Sequence, residues 1–189
     1  MGQNADKIAI FGGSFDPPHF GHDEIIRAAL NSLDIDKLII MPTFCSPFKN
    51  EFSAPPKLRF NWCKVLWGDL EKVQISDFEI LRGNGQKTPT ITSVRHFKQL
   101  LNPKKIYLII GADCLEKLHL WHEFSALKEL VEFVVASREN FLIKDGFKTL
   151  KKLEINVKIS SSLIRQTLDF KEIPPKIRQE VSEFYGKQN

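Results

Sequence analysis

Cysteine is scarce in this chain, and that scarcity excludes a disulfide framework from the start. Only Cys45, Cys63 and Cys114 occur in 189 residues. They are odd in number, far apart and without the paired spacing of a zinc site, so they read as free thiols in a reducing compartment, with no structural metal. Long hydrophobic runs are also missing. No stretch approaches the about 20 apolar residues needed to cross a bilayer. The segment from Met1 to Lys7 lacks the basic start and apolar core of a secretory signal. The expectation is a cytoplasmic protein with no membrane partner.

Strong charge of one sign is absent too. The net charge is +4, and the lysines of the C-terminal third (Lys144, Lys148, Lys151, Lys152, Lys158) are interrupted by Phe147, Leu150 and Leu153. That pattern reads as a helix with one solvated face and argues against a nucleic-acid partner. Internal repeats, low-complexity tracts and a linker are lacking, so residues 1–189 are expected to form one domain. A hydrophobic content of 42% with 26% charged residues is ordinary for a globular protein of this size.

What is present alternates. Short apolar, β-branched runs at Lys7 to Phe11, Lys37 to Met41, Lys72 to Ser76, Lys105 to Ile110, Glu132 to Ala136 and Ile155 to Ile159 read as strands. Helical periodicity falls between most of them, from Ile25, from Pro56 to Leu66, from Thr90 or Ile91 to Leu101, and from Phe124 to Leu130. The alternation predicts an α/β fold, a Rossmann-like doubly wound parallel sheet with right-handed crossovers. A C-terminal helical portion spans about residues 160–186, closed by an amphipathic helix after Pro174-Pro175. The loops Thr43 to Ala54 and Asn140 to Gly146 are expected to be the most mobile.

The most informative stretch is Ile10-Phe11-Gly12-Gly13-Ser14-Phe15-Asp16-Pro17-Pro18-His19-Phe20-Gly21-His22, between the first strand and the first helix. Gly12 and Gly13 are expected to let the backbone turn sharply and bring its N–H groups to an anion, while Pro17 and Pro18 stiffen the approach to the helix. A helix N-terminus favours phosphate, and His19 and His22, three residues apart in the first turn, can address the same ligand. Downstream, Ser160 or Ser161 can cap a helix starting near Leu163, with Arg165 supplying a permanent planar cation suited to phosphate. Between the two, Gly111 ends an apolar strand at its carboxyl edge, where open α/β sheets bind ligands, and Asp113 lies just beyond it. A packed core residue is the plain alternative for Trp121, and local packing or substrate contact for His119 and His122.

These segments resemble the nicotinate-nucleotide adenylyltransferases of bacteria, within the nucleotidyltransferases that carry an H-x-G-H motif, here His19-Phe20-Gly21-His22. Ile159-Ser160-Ser161-Ser162-Leu163-Ile164-Arg165 is similar to their I-S-S-T-x-I-R motif, with Ser162 for threonine. Gly111-Ala112-Asp113-Cys114-Leu115 is similar to their G-x-D-x-L. The run from Glu79 and Arg82 through Gly85, Thr88, Thr90 and Thr92 is similar to E-x-x-R-x-G-x-S-Y-T-x-x-T, with Pro89 for tyrosine. Ser46-Pro47-Phe48-Lys49 stands for P-P-H-K. The resemblance implies transfer of AMP from ATP to nicotinate mononucleotide, with Mg²⁺ accompanying ATP and no metal site of the protein's own. It implies that His19, His22 and Arg165 act on the phosphates. Gly12, Gly13, Ser14, Phe15 and the Ser160, Ser161 and Ser162 turn would complete the ATP site. Trp121 would stack on the pyridine ring, and Thr90 would lie near the nicotinate carboxylate. Lys49, Gly111, Asp113 and Arg138 would line the rest of the mononucleotide site. The departures at Phe48 and Pro89 fall on the pyridine side. Phosphopantetheine adenylyltransferase, and a nucleotide-sensing module without turnover, are the rival readings. A homo-oligomer is compatible with the sequence.

Overall fold

The computed structural model describes residues 5–45, 53–82, 86–137, 150–155 and 159–187. Six strands, β1 (Lys7–Gly13), β2 (Lys37–Pro42), β3 (Val73–Ile75), β4 (Lys105–Gly111), β5 (Glu132–Ser137) and β6 (Leu150–Glu154), form one sheet in the order β3-β2-β1-β4-β5-β6. Every pairing is parallel. Strand order reverses between β1 and β4, the switch point where ligands of doubly wound sheets bind.

Alternate residues explain why both faces are covered. Ala9, Phe11, Leu38, Ile40, Tyr107, Ile109 and Val134 point to one face, where α1 (Phe20–Ser32) and α2 (Pro56–Trp67) bury Ile26, Ala29, Cys63 and Trp67 against them. Ile8, Ile10, Ile39, Met41, Ile106, Leu108, Ile110 and Val135 point to the other. There α3 (Phe78–Arg82), α4 (Thr90–Leu101), a 3₁₀ segment (Ala112–Leu120) and α5 (Phe124–Leu130) cover them. Strands buried on both faces must be continuously apolar, which is why the sequence displays them. A third cluster joins Trp62 of α2 to α6 (Ser161–Thr167) and α7 (Pro175–Gly186) through Ile164, Ile177, Val181 and Tyr185.

Two expectations are corrected here. The last strand among the described residues is Leu150–Glu154; of the strand expected over Ile155 to Ile159, Ile155 and Ile159 lie outside any strand and residues 156–158 lie outside the described residues. Leu150 and Leu153, three apart among lysines, imitate a helix face, but Leu153 is buried beside the strands and Lys151 lies over the Tyr107 ring at 4.8 Å. That is the two-residue alternation of an edge strand. The second correction concerns Gly12 and Gly13, which do not turn: β1 runs straight through both, opposite Met41 and Pro42. The chain turns at Phe15, a non-glycine residue with φ of 48°. The sequence pattern does not predict the 3₁₀ segment or the five-residue α3, which are too short or too tightly wound to show a 3.6-residue period. The Asn140 to Gly146 loop, most of the Thr43 to Ala54 loop, and Phe48, Lys49, Gly85, Arg138, Lys144, Phe147, Lys148 and Lys158 lie outside the described residues.

None of the three cysteines is in a disulfide, and no helix among the described residues is long and apolar enough to cross a membrane.

Candidate active site

β1 and β4 pair up to Phe11 opposite Ile109, so their glycine ends leave the centre of the sheet side by side. Each glycine admits a close approach. A Cβ on Gly13 would meet the Phe15 ring at 3.1–3.4 Å, and one on Gly111 would fall 2.3 Å from Asp113 Oδ1. Phe15 therefore folds back over the end of β1, and its ring packs against Phe11, Trp67 and His22, with centroids 5.5, 5.7 and 4.9 Å away. That burial outweighs the strain of the left-handed backbone at Phe15.

The two histidines close the N-terminus of α1 on each other. His19 is the N-cap: its Nδ1 accepts from Gly21 N at 3.1 Å, and His22 Nδ1 accepts from His19 N at 3.2 Å. This reciprocal arrangement is a capping box built from imidazoles. The rings stack at 3.8 Å and 29°. Gly21 leaves room between them, since a Cβ there would lie only 3.1 Å from the His19 ring. An Nδ1 that accepts a hydrogen bond carries no proton, so each ring is held as the tautomer protonated on Nε2, a hydrogen-bond donor. Burial, then the neighbouring His19, push the affinity of His22 for a second proton well below the ordinary range, and the ring stays neutral at neutral pH.

The loop carrying these histidines is tied down from three later elements. Arg59 of α2, 1% exposed, donates through Nε to Ala54 O at 2.9 Å, through Nη2 to Phe44 O at 2.8 Å and through Nη1 to Ser14 O. From α6, Arg165 Nη1 donates to the Asp16 carbonyl and Ser161 Oγ to the Pro17 carbonyl at 2.9 Å. From α7, Tyr185 Oη donates to Asp16 Oδ1 at 2.6 Å. Asp16, 3% exposed, also accepts from Ala54 N at 2.9 Å and Ser53 N at 3.0 Å, and its peptide bond to Pro17 is cis.

The structure thus brings together Gly12, Gly13, Ser14, Phe15, His19, His22, Ser161 and Arg165. Ser160 is the N-cap of α6 and accepts from Leu163 N at 3.2 Å, while Ser162 Oγ accepts from Arg165 Nη2 at 3.3 Å. The three hydroxyls fasten and orient this turn. Thr90 opens α4 and Trp121 follows the 3₁₀ segment, both on the opposite face of the sheet from α1. Trp121 is half-buried against the core there, with its Nε1 buried and without a hydrogen-bond partner among the described residues. Asp113 is exposed beside Gly111. His119 and His122 are exposed as well, and His122 Nε2 lies 3.3 Å from Glu123 Oε1. Sequence reading missed Asp16, Arg59 and Tyr185. A buried charge has no periodic signature, and the only hint was the acid inside the glycine-proline loop.

Glu79 links α3 to α4: 3% exposed, it accepts from Ser93 Oγ at 2.7 Å. Burial pushes its carboxyl from 4.5 up to about 7, against the Ser93 bond, which lowers it. The folded protein therefore holds this proton more tightly than the unfolded chain. The stability it confers is complete below pH 4.5 and fades as pH rises through 7. In Glu79→Gln that fade is expected to vanish, so melting curves of variant and parent should diverge between pH 4.5 and 8 in the variant's favour, by up to about 3 kcal/mol at 1.36 kcal/mol per pH unit. Parallel curves across that range would show that Glu79 does not titrate there.

A cytidylyltransferase-like family model matches residues 10–167. A protein of Campylobacter jejuni (serotype O:23/36, strain 81-176), named "Probable nicotinate-nucleotide adenylyltransferase", is 55% identical over 181 residues, covering 96% of this chain and 97% of that one. A protein of the same name from Campylobacter fetus subsp. fetus (strain 82-40) is 53% identical over 183 residues, covering 97% and 98%. The fold matches Plasmodium falciparum nicotinic acid mononucleotide adenylyltransferase complexed with NaAD, with a TM-score of 0.72 at 22% identity, over 97% of this chain and 96% of that one. With most of its length matched by the family model and more than half its residues shared with full-length relatives, the chain belongs to the cytidylyltransferase-like family and, within it, to the nicotinate-nucleotide adenylyltransferases.

Proposed function

We propose that this enzyme transfers the AMP of ATP to nicotinate mononucleotide, forming nicotinate adenine dinucleotide and pyrophosphate. The observation that carries the mechanism is the pair of neutral, Nε2-protonated imidazoles at the N-terminus of α1, with Arg165 joined to the same loop. The names of the relatives supply the acceptor. A phosphate oxygen of the mononucleotide attacks the α-phosphorus of ATP as the bond to the bridging oxygen breaks, and pyrophosphate carries that electron pair away. The attacking oxygen is already anionic, so no serine, cysteine or strong base is needed. Positioning and charge neutralisation do the work.

In this reading His19 and His22 donate to phosphate oxygens, Arg165 holds the triphosphate, and backbone N–H groups from Gly12 to Phe15 and at Ser160 to Ser162 complete the cradle. Gly111 and Asp113 would meet the mononucleotide, with Thr90 and Trp121 on its pyridine. Lys49 and Arg138 are assigned to its phosphate by resemblance alone. Mg²⁺ offsets charge on the departing pyrophosphate when bound. Among the described residues no group of three or more His, Cys, Asp or Glu is placed to hold a metal, and Asp16 spends its carboxylate on three donors. Phosphate oxygens and water would be suitable ligands for a hard divalent cation arriving with ATP.

Pyrophosphate release from ATP and Mg²⁺ with nicotinate mononucleotide, nicotinamide mononucleotide or phosphopantetheine tests this. The nicotinate compound is expected to be fastest. Its margin over the amide should be about tenfold or more, because a carboxylate deprived of its donors costs about 1–3 kcal/mol. Faster turnover of phosphopantetheine would replace the assignment, and ATP binding without turnover of any acceptor would favour the sensing module.

A further inference from the structure

Asp16 and Arg165 are a buried acid and a neighbouring cation that do not pair closely. The nearest carboxylate distance, Arg165 Nη1 to Asp16 Oδ2, is 3.9 Å, well beyond the about 2.8 Å of a charge-assisted hydrogen bond. The guanidinium donates to the Asp16 backbone carbonyl and to Ser162 Oγ instead. The carboxylate is held elsewhere: Oδ2 takes Ser53 N at 3.0 Å, while Oδ1 takes Ala54 N at 2.9 Å and the Tyr185 hydroxyl at 2.6 Å. The hydroxyl makes the shortest of these bonds, and it comes from α7, 169 residues away.

We propose that Tyr185 is a positioning residue for adenylyl transfer, whose hydroxyl holds the Asp16 carboxylate off Arg165 and so keeps that cation available to the triphosphate. This rests on the reading of Arg165 given above. If the hydroxyl is removed, Asp16 loses its shortest bond, and Arg165 is close enough to replace it. A carboxylate paired closely with the guanidinium would neutralise it and draw it toward the loop, at the expense of an incoming anion. Burial, Asp16 and their hydrogen bond all push the phenol's pKa up, so Tyr185 remains a donor at every working pH and introduces no pH dependence of its own. The ring has a separate task, packing at 6.2 Å from Trp62 and 5.0 Å from Phe184, which phenylalanine would keep.

Tyr185→Phe isolates the hydroxyl. Calorimetric titration with ATP and Mg²⁺ but no acceptor is expected to show about tenfold weaker binding. The KM for ATP should rise in step, the KM for nicotinate mononucleotide should hold, and the melting temperature should stay close to the parent's. Glu180→Ala is the control. It breaks the 3.0 Å bond from Trp62 Nε1 that ties the same helix to α2, and is expected to lower the melting temperature with ATP affinity unchanged. In an Arg165→Met background, Tyr185→Phe should cost almost nothing further, because the protected cation is gone. ATP affinity within twofold of the parent, or a loss that persists undiminished beside Arg165→Met, would overturn the proposal. So would failure of Tyr185→Phe to fold where Glu180→Ala folds, since the hydroxyl would then be a determinant of the fold. Because the titration needs no acceptor, a parent that binds ATP but releases no pyrophosphate with nicotinate mononucleotide would remove the proposed function and leave this comparison standing.

Discussion

Replacing His22 by alanine is expected to lower kcat by about 10²–10³, the usual consequence of removing one donor aimed at charge developing in a transition state. The KM for ATP should move less. In the proposed reading the ring has two jobs: Nδ1 accepts from His19 N at 3.2 Å, and the opposite nitrogen would donate to phosphate. Loss of the first costs a helix cap, about 1 kcal/mol, and lowers the melting temperature by a few degrees in a chain of this size. Loss of the second costs turnover. Asparagine can serve both ends, its carbonyl taking the His19 amide and its NH₂ reaching toward the ligand, so His22→Asn should recover part of both losses. The same geometry sets the pH behaviour. The folded ring resists a second proton, so the stability it confers is whole above pH 6.5 and declines as pH falls below it, since protonation would strip Nδ1 of its role as acceptor. Steady-state pyrophosphate release beside thermal unfolding checks each part. Turnover of folded His22→Ala within twofold of the parent would make His22 a cap and nothing more.

The central strands announced themselves because burial on both faces leaves no room for polar residues at Ile8 to Phe11, Leu38 to Met41 or Ile106 to Ile110. The edge was harder. β6 has one neighbour and carries two lysines among its five residues, so its apolar spacing matched a helix by accident. The place of the histidine pair between strand and helix was legible, and it is what suggests the phosphate site proposed above. The turn that delivers it was not, because its left-handed residue is Phe15 and not a glycine, and the packing that favours this conformation comes from Trp67 of a later helix. The supports of the loop were invisible for a related reason. Arg59 and Tyr185 act across 45 and 169 residues of sequence, and no local pattern distinguishes them from a surface arginine and a core tyrosine.

The second large effect follows from those supports. Arg59→Met is expected to destabilise the fold by about 3–5 kcal/mol, enough to lower the melting temperature by roughly 10 °C. The aliphatic stem would be replaced at similar volume, so lost packing is not the cause. Three carbonyls from three segments, Ser14, Phe44 and Ala54, converge on one guanidinium, and removing it takes this donor from a buried carbonyl and two part-buried ones. Asp16 would lose a nearby compensating charge as well, the attraction that offsets the desolvation pulling the Arg59 pKa down. Arg59→Lys should recover only a minor share. An ammonium on a single stem cannot reach three acceptors that Nε, Nη1 and Nη2 take separately in one plane. Because Ser14 immediately precedes the left-handed Phe15, the loss should fall first on the loop that presents His19 and His22. Turnover in folded Arg59→Met should therefore drop more steeply with temperature than the global unfolding curve. Equilibrium denaturation decides the main point: a difference below about 1 kcal/mol would mean that the carbonyls find other donors and that Arg59 is dispensable to the loop.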